Sequence, residues 1–173
     1  MVLLQASQSV PIGFNGLSAG YDLTYVTQKP GADLKEQDIH IETVIGSAHL
    51  QYPLIRTIDQ SLYGKVEINL RNDRIDVMGA RAAREQARWA TVSLRYDVDA
   101  GPASFSAGAE LGQSLNHKGE MEIDPDDYRF GRFNFGVSYD LASIARLQLR
   151  TASQYSPTPL PGAVRVALGG DPY

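Results

Sequence analysis

The stretch Leu62-Tyr63-Gly64-Lys65-Val66-Glu67-Ile68-Asn69-Leu70-Arg71 decides the fold. Every second residue, from Leu62 through Gly64, Val66 and Ile68 to Leu70, is apolar or small. The residues between them are Tyr63, Lys65, Glu67, Asn69 and Arg71. A period of two puts these sets on opposite faces of a β-strand, one greasy and one ionised. The pattern recurs in both directions. Downstream, Ala90, Val92, Leu94, Tyr96 and Val98 alternate with Thr91, Ser93, Arg95 and Asp97. Ala103 to Leu111, Phe133 to Tyr139 and Ala145 to Arg150 follow the same rule. Upstream, Val2 to Val10 and Leu17 to Tyr25 do so as well. The third strand is less clean: Ile39 and Ile41 share one phase, while Val44, Gly46, Ala48, Leu50 and Tyr52 share the other. A bulge or a late start near Thr43 would explain that switch.

About eight strands therefore follow one another with no convincing amphipathic helix between them, which predicts an all-β, antiparallel up-and-down meander. Pro11 to Gly16, Pro53 to Gln60, Asp99 to Pro102 and Asp140 to Ser143 read as short connections. Thr27 to Asp38, Asn72 to Gln86 and Gln113 to Asp127 read as long ones. The segment Met78 to Arg88 has too little apolar surface to dock as a helix, and is expected to be a loop with at most one helical turn.

A soluble barrel or sandwich would turn the greasy face inward. Three features favour a membrane barrel instead. The strands are about nine to twelve residues long, near the spanning length and above the globular mode of about five or six. Short and long connections alternate, as periplasmic turns and extracellular loops do. Aromatic residues (Tyr21, Tyr25, Tyr52, Tyr96, Phe133, Tyr139) recur on the apolar face, several near strand ends. An Arg or Lys facing lipid at mid-depth costs roughly 2–4 kcal/mol. Lys65, Glu67, Arg71, Arg95, Asp97, Glu110, Arg132, Arg146 and Arg150 are thus expected to line a lumen. An alternative role for these charges is a structural network in which Glu67, Asp97 and Glu110 pair with the cations. So many ionised side chains suit a pore wider than eight strands enclose, and open edges are not tolerated in lipid. The chain is accordingly expected to be a segment of a larger barrel.

Composition narrows the chemistry. The formal net charge is −4 and the pI about 5.3, with no basic stripe for a nucleic acid. There are no cysteines, which excludes disulfides, thiol nucleophiles and cysteine-bound zinc. The N-terminus lacks the basic and long apolar regions of a signal peptide; export would need one, so either the chain is not exported or its start is missing. His40, His49 and His117 have no metal-ligand spacing. The acidic run Glu120, Glu122, Asp124, Asp126 and Asp127 lacks the spacing of a calcium hand and reads as a solvated loop. No nucleophile elbow or phosphate-cradling glycine loop is present. No catalytic residue, metal or cofactor is expected.

Three short stretches carry a family resemblance: Val10-Pro11-Ile12-Gly13 with Gly16-Leu17, then Tyr52-Pro53-Leu54-Ile55-Arg56, and then Gln154-Tyr155-Ser156 followed by Leu160-Pro161 and Leu168-Gly169-Gly170. Together they resemble the barrel of two-partner secretion transporters, the haemolysin or haemagglutinin secretion/activation proteins. The resemblance implies that residues 1–156 are part of an outer-membrane barrel of about sixteen strands. It makes Pro53 to Arg56 a periplasmic turn and residues 157–173 the start of a long loop folded into the pore. In the family the Leu-Gly-Gly stretch leads into an Arg-Gly-Tyr/Phe motif, which would follow Asp171-Pro172-Tyr173. The implied activity is movement of an unfolded secreted partner across the outer membrane of a Gram-negative bacterium, without nucleotide. Neighbouring expectations are a barrel-assembly factor of the same superfamily, a small complete barrel acting as porin or enzyme, and a soluble ligand-binding β-barrel.

Overall fold

A computed structural model describes residues 1–29, 38–119, 127–141, 145–162 and 164–165, with the backbone alone for 117–119. Eight strands form one sheet in sequential order, each antiparallel to the next. They are β1 (Val2–Pro11), β2 (Ser18–Gln28), β3 (His40–Arg56), β4 (Gln60–Val77), β5 (Ala80–Ala100), β6 (Ala103–Gly119), β7 (Arg129–Leu141) and β8 (Ala145–Tyr155). The all-β meander expected from the alternation is the observed fold. β1 and β8 are its two edges and do not pair with each other. No second layer covers the apolar face among the described residues. Val66, Ile68 and Val92 are each more than half exposed.

Two expectations about connections are corrected, besides the start of the third long one: Gln113 to Gly119, expected to be loop, belong to β6. Asn72 to Gln86 is not a loop: β4 and β5 run on as a ladder to Val77↔Ala80, joined by Met78 and Gly79. Both residues have positive φ, +52° and +75°, the backbone of a two-residue hairpin turn whose twist matches the strands. The residues between Asn72 and Gln86 lack an apolar stripe, which is why the alternation alone predicts a loop there. Cross-strand hydrogen bonds need no such stripe. Second, the phase switch near Thr43 is not a bulge. β3 pairs with β4 without interruption from His40 to Pro53, and the register shifts only between Pro53 and Ile55. Tyr52 to Arg56 thus belong to β3, and the turn that follows is residues 57–59, so Pro53 to Arg56 are not the turn that the resemblance implied. Val164 and Arg165 are not in a strand. The remainder of the short strand expected at Val164 to Leu168 lies outside the described residues, as do residues 30–37 and 120–126 of the long connections.

Phase switches occur on several strands, and the pairing register relates them. On the face bearing Val66 and Val92, the unbroken run of apolar or small residues ends, toward the long-connection end, at Tyr25 in β2, Val44 in β3, Leu70 in β4, Ala90 in β5 and Leu111 in β6, with Leu115 farther out at a register shift. The next outward residues are Thr27, Glu42, Asn72, Arg88 and Gln113. The row of paired residues through Tyr25 crosses β4 at Asn72, and the row through Leu111 crosses it at Val66, six residues lower. Six residues are ~20 Å along a strand, and four strand steps are ~19 Å across the sheet, so the polarity boundary cuts the rows at roughly 45°. A flat boundary crosses strands obliquely only if the strands are tilted against it, and the tilt of membrane barrels is about 35–45°. The apolar band on β4, Leu62 to Leu70, measures ~27 Å along the strand and therefore ~20 Å upright, close to the ~25 Å expected.

Beyond this boundary the polarity inverts. Asn72, Arg74, Arg84 and Arg88 take the outward face, while Ile41, Ile75, Ala87 and Trp89 take the other. Each segment is thus amphipathic with respect to its own surroundings.

Candidate functional site

The second face of the sheet gathers the ionised residues. Register places Lys65, Glu67 and Arg71 of β4, Arg95 and Asp97 of β5, Glu110 of β6, Arg132 of β7, and Arg146 and Arg150 of β8 all on this side. The face is concave. One cavity of about 550 Å³ reaches from Gln51 in β3 past Lys65, Arg95 and Glu110 to Asn134 in β7. Most of the charges are arranged in local pairs. Lys65 bonds Glu67, Arg71 bonds Asp73 at 2.7 Å, and Arg95 grips Asp97 through Nε and Nη2 at 2.9 and 3.1 Å. Arg132 donates to Glu110 at 3.0 Å, and Arg146 to Asp140 at 2.5 and 2.9 Å. Arg150 lies beside the amide of Gln148. Pairs two residues apart on one strand form because a period of two returns both side chains to the same face. Glu67, Asp97 and Glu110 each pair with a cation, as separate pairs rather than as one network, and Arg71 pairs with Asp73.

His49 also stands on this face, 3.7 Å from Asp22 and 4.0 Å from Glu67. Its ring lies over Gly20, where a Cβ would come within 2.7 Å of Nε2. His40 is on the outward side of β3 near Glu42, so these two histidines share no site. The His117 side chain and residues 120–126 of the acidic run lie outside the described residues; Asp127 accepts a hydrogen bond from Ser114 at 3.0 Å.

A part of the site that the alternation did not single out is an apolar cluster on the ionised face. Ala87, Trp89, Tyr128, Phe130, Leu160 and Val164 are buried together. Trp89 shares its phase with Arg95, and Phe130 with Arg132, so each interrupts a polar series. That interruption was the available signal. The Phe130 ring occupies the space beside Gly112, whose absent side chain makes room for it: a Cβ there would meet the ring at 2.2 Å. Leu160 and Val164 belong to a strap, described over residues 157–162 and 164–165, that leaves β8 and returns across this face. Arg132 fixes it. Its guanidinium donates to the Val164 carbonyl at 2.6 Å while lying 4.5 Å from the Phe130 ring centroid. Gln154 donates to the same carbonyl at 3.0 Å, and Arg165 Nε closes the strap on the Leu160 carbonyl at 2.5 Å. Burial pushes the Tyr128 hydroxyl up to about 12, with the Glu85 carboxylate adding to the effect. Gly169 and Gly170 lie outside the described residues.

No protein-family model and no curated protein matches the chain. Among solved structures it is similar to OmpT, an outer membrane protein of Vibrio cholerae, in an in-vitro folded trimer form. The identity is 16% and the TM-score 0.49, over 90% of this chain and 46% of that one. The chain thus spans about half the length of the OmpT structure.

Proposed function

We propose that this chain is part of the wall of an outer-membrane β-barrel whose lumen conducts an extended, unfolded polypeptide secreted by the cell. The observation that carries the membrane reading is the oblique apolar band. Its height and its angle to the strands both fit a hydrocarbon layer crossed by tilted strands. A soluble sandwich would need a second layer over Val66, Ile68 and Val92. On this reading further strands complete the edges at β1 and β8, because unpaired backbone groups cannot face lipid.

Polypeptide translocation, as in two-partner secretion, is supported by the three short motifs and by the strap. The strap crosses the ionised face and in the sequence precedes the Leu168-Gly169-Gly170 stretch. A wall of locally neutralised pairs offers a sliding chain many weak contacts and no strong trap. No covalent chemistry is assigned, and the partner is a secreted protein of the adhesin or haemolysin type. A passive solute pore is the second reading, favoured by the wet concavity between Lys65 and Asn134.

The test is partner secretion by the full-length protein carrying Lys65→Gln, Arg71→Gln and Arg95→Gln. Secretion should fall severalfold while the barrel still reaches the membrane. Unchanged secretion would remove the role given to this face, and unchanged solute conductance alongside lost secretion would speak against the passive pore.

A further inference from the structure

The outward face carries a second feature that translocation does not use. Immediately beyond the apolar band stand Arg74, Arg84, Arg88 and Arg129. The outward side of the opposite rim carries no Lys or Arg among the described residues. Arg74 and Arg84 are directly paired in the register, a placement in which like charges repel. Arg74 is answered by Asp76 at 2.8 Å. Arg88 instead donates to neutral acceptors: the carbonyls of Arg71 and Ala87 at 3.1 and 2.8 Å, and Asn72 Oδ1 at 2.8 Å. Its charge is left in place, and Arg84 lies beside the amide of Gln86.

Below Arg129 the band is notched. Val66, Val92, Leu111, Gly131 and Tyr155 form one paired row. With no side chain at Gly131, a groove of about 510 Å³ opens between Leu111 and Tyr155, with Arg129 on its lining. Leu111 and Tyr155 are 72% and 74% exposed, so the groove is uncovered. Arg129 stands two residues above the notch, ~7 Å along the strand, and Arg88 is two strands away, ~10 Å across the sheet.

We propose that this groove binds an anionic phospholipid, one acyl chain lying over Gly131 and the phosphate against Arg129, with Arg88 and Arg84 extending the positive rim. The inference rests on the reading that the apolar band meets lipid. The occupant follows from complementarity: an apolar slot capped by a guanidinium fork matches a hydrocarbon chain capped by a phosphate.

To test it, the full-length protein in a non-ionic detergent is titrated with dioleoyl phosphatidylglycerol and, in parallel, with dioleoyl phosphatidylcholine. Bound lipid is counted by native mass spectrometry. The anionic lipid should bind about tenfold more tightly, one charge-assisted contact's worth of discrimination. Arg129→Ala should abolish most of that preference and weaken phosphatidylcholine, whose choline cation already offsets its phosphate, much less. Gly131→Leu, which fills the notch, should weaken both lipids. Equal binding of the two lipids by the wild type, or a preference that survives Arg129→Ala, overturns the proposal. So does displacement of phosphatidylglycerol by glycerol phosphate at equal concentration, which would indicate a phosphate site without a chain. Membrane fractionation separates the two readings. Protein found in the outer membrane without lipid preference refutes the lipid site alone, whereas protein absent from the membrane refutes the reading beneath it.

Discussion

At the residue scale, neighbours along one strand face opposite sides of the sheet, and the consequences differ accordingly. Val92 faces outward in the apolar band, more than half exposed, whereas Ser93 faces the concavity beside Lys65 and Glu110. Val92→Arg should cost roughly 2–4 kcal/mol of folding stability in bilayers, and Ser93→Arg should stay within about 0.5 kcal/mol. Urea titrations of the full-length protein in vesicles would read both, and equal costs would contradict the facing. Two glycines make a similar contrast. At Gly112 a Cβ meets the Phe130 ring at 2.2 Å, but at Gly131 the nearest atom is Leu111 Cδ2 at 3.6 Å. Gly112→Val should therefore lose about 1–3 kcal/mol to overpacking, and Gly131→Ala should be neutral or mildly stabilising. The same titrations distinguish them.

At the scale of elements, the β4–β5 hairpin shows what was legible in the sequence and what was not. Leu62 to Arg71 declared a strand because one solvent lies on each side of it. On the membrane reading proposed above, the outward solvent past Leu70 changes from hydrocarbon to water, so the period of two survives with its sign reversed and much of its contrast lost. A reading that looked for greasy residues in one fixed phase saw a loop there, and a bulge at Thr43 for the same reason. Trp89 and Phe130 lie just outside the strands that the alternation predicts, and their breaking of the polar series marks the strap's seat. The strap itself could not be read from alternation, since its placement depends on a carbonyl held by Arg132 and Gln154. The hairpin turn offers its own test. Met78 holds φ +52°, a region costly for a side chain that lacks a local hydrogen bond. Met78→Asn before Gly79 should stabilise the hairpin by about 1 kcal/mol. Hydrogen exchange of the amides flanking the turn would show the gain as slower opening, and faster exchange would contradict it.

At the scale of the whole molecule, one sheet separates three surroundings: an outward apolar band, an outward basic rim and an inward ionised face carrying a strap. The strap's attachment is concentrated in few contacts, so it is a place where the assembly can yield locally. Arg132→Ala removes the bonds to Glu110 and Val164 and the contact with Phe130 together. Trypsin cleavage after Arg165 should then quicken by about tenfold or more in the folded barrel, and an unchanged rate would show that the apolar cluster holds the strap alone. The division of surroundings is itself open to direct measurement by spin labels placed singly along β5 of the full-length protein in bilayers. Collision with dissolved oxygen should be high at positions 92, 94 and 96. A water-soluble nickel chelate should instead reach positions 93 and 95, as well as positions 84 and 86 beyond the boundary. Oxygen contact at 93 and 95, or nickel contact at 92 and 94, would contradict the account.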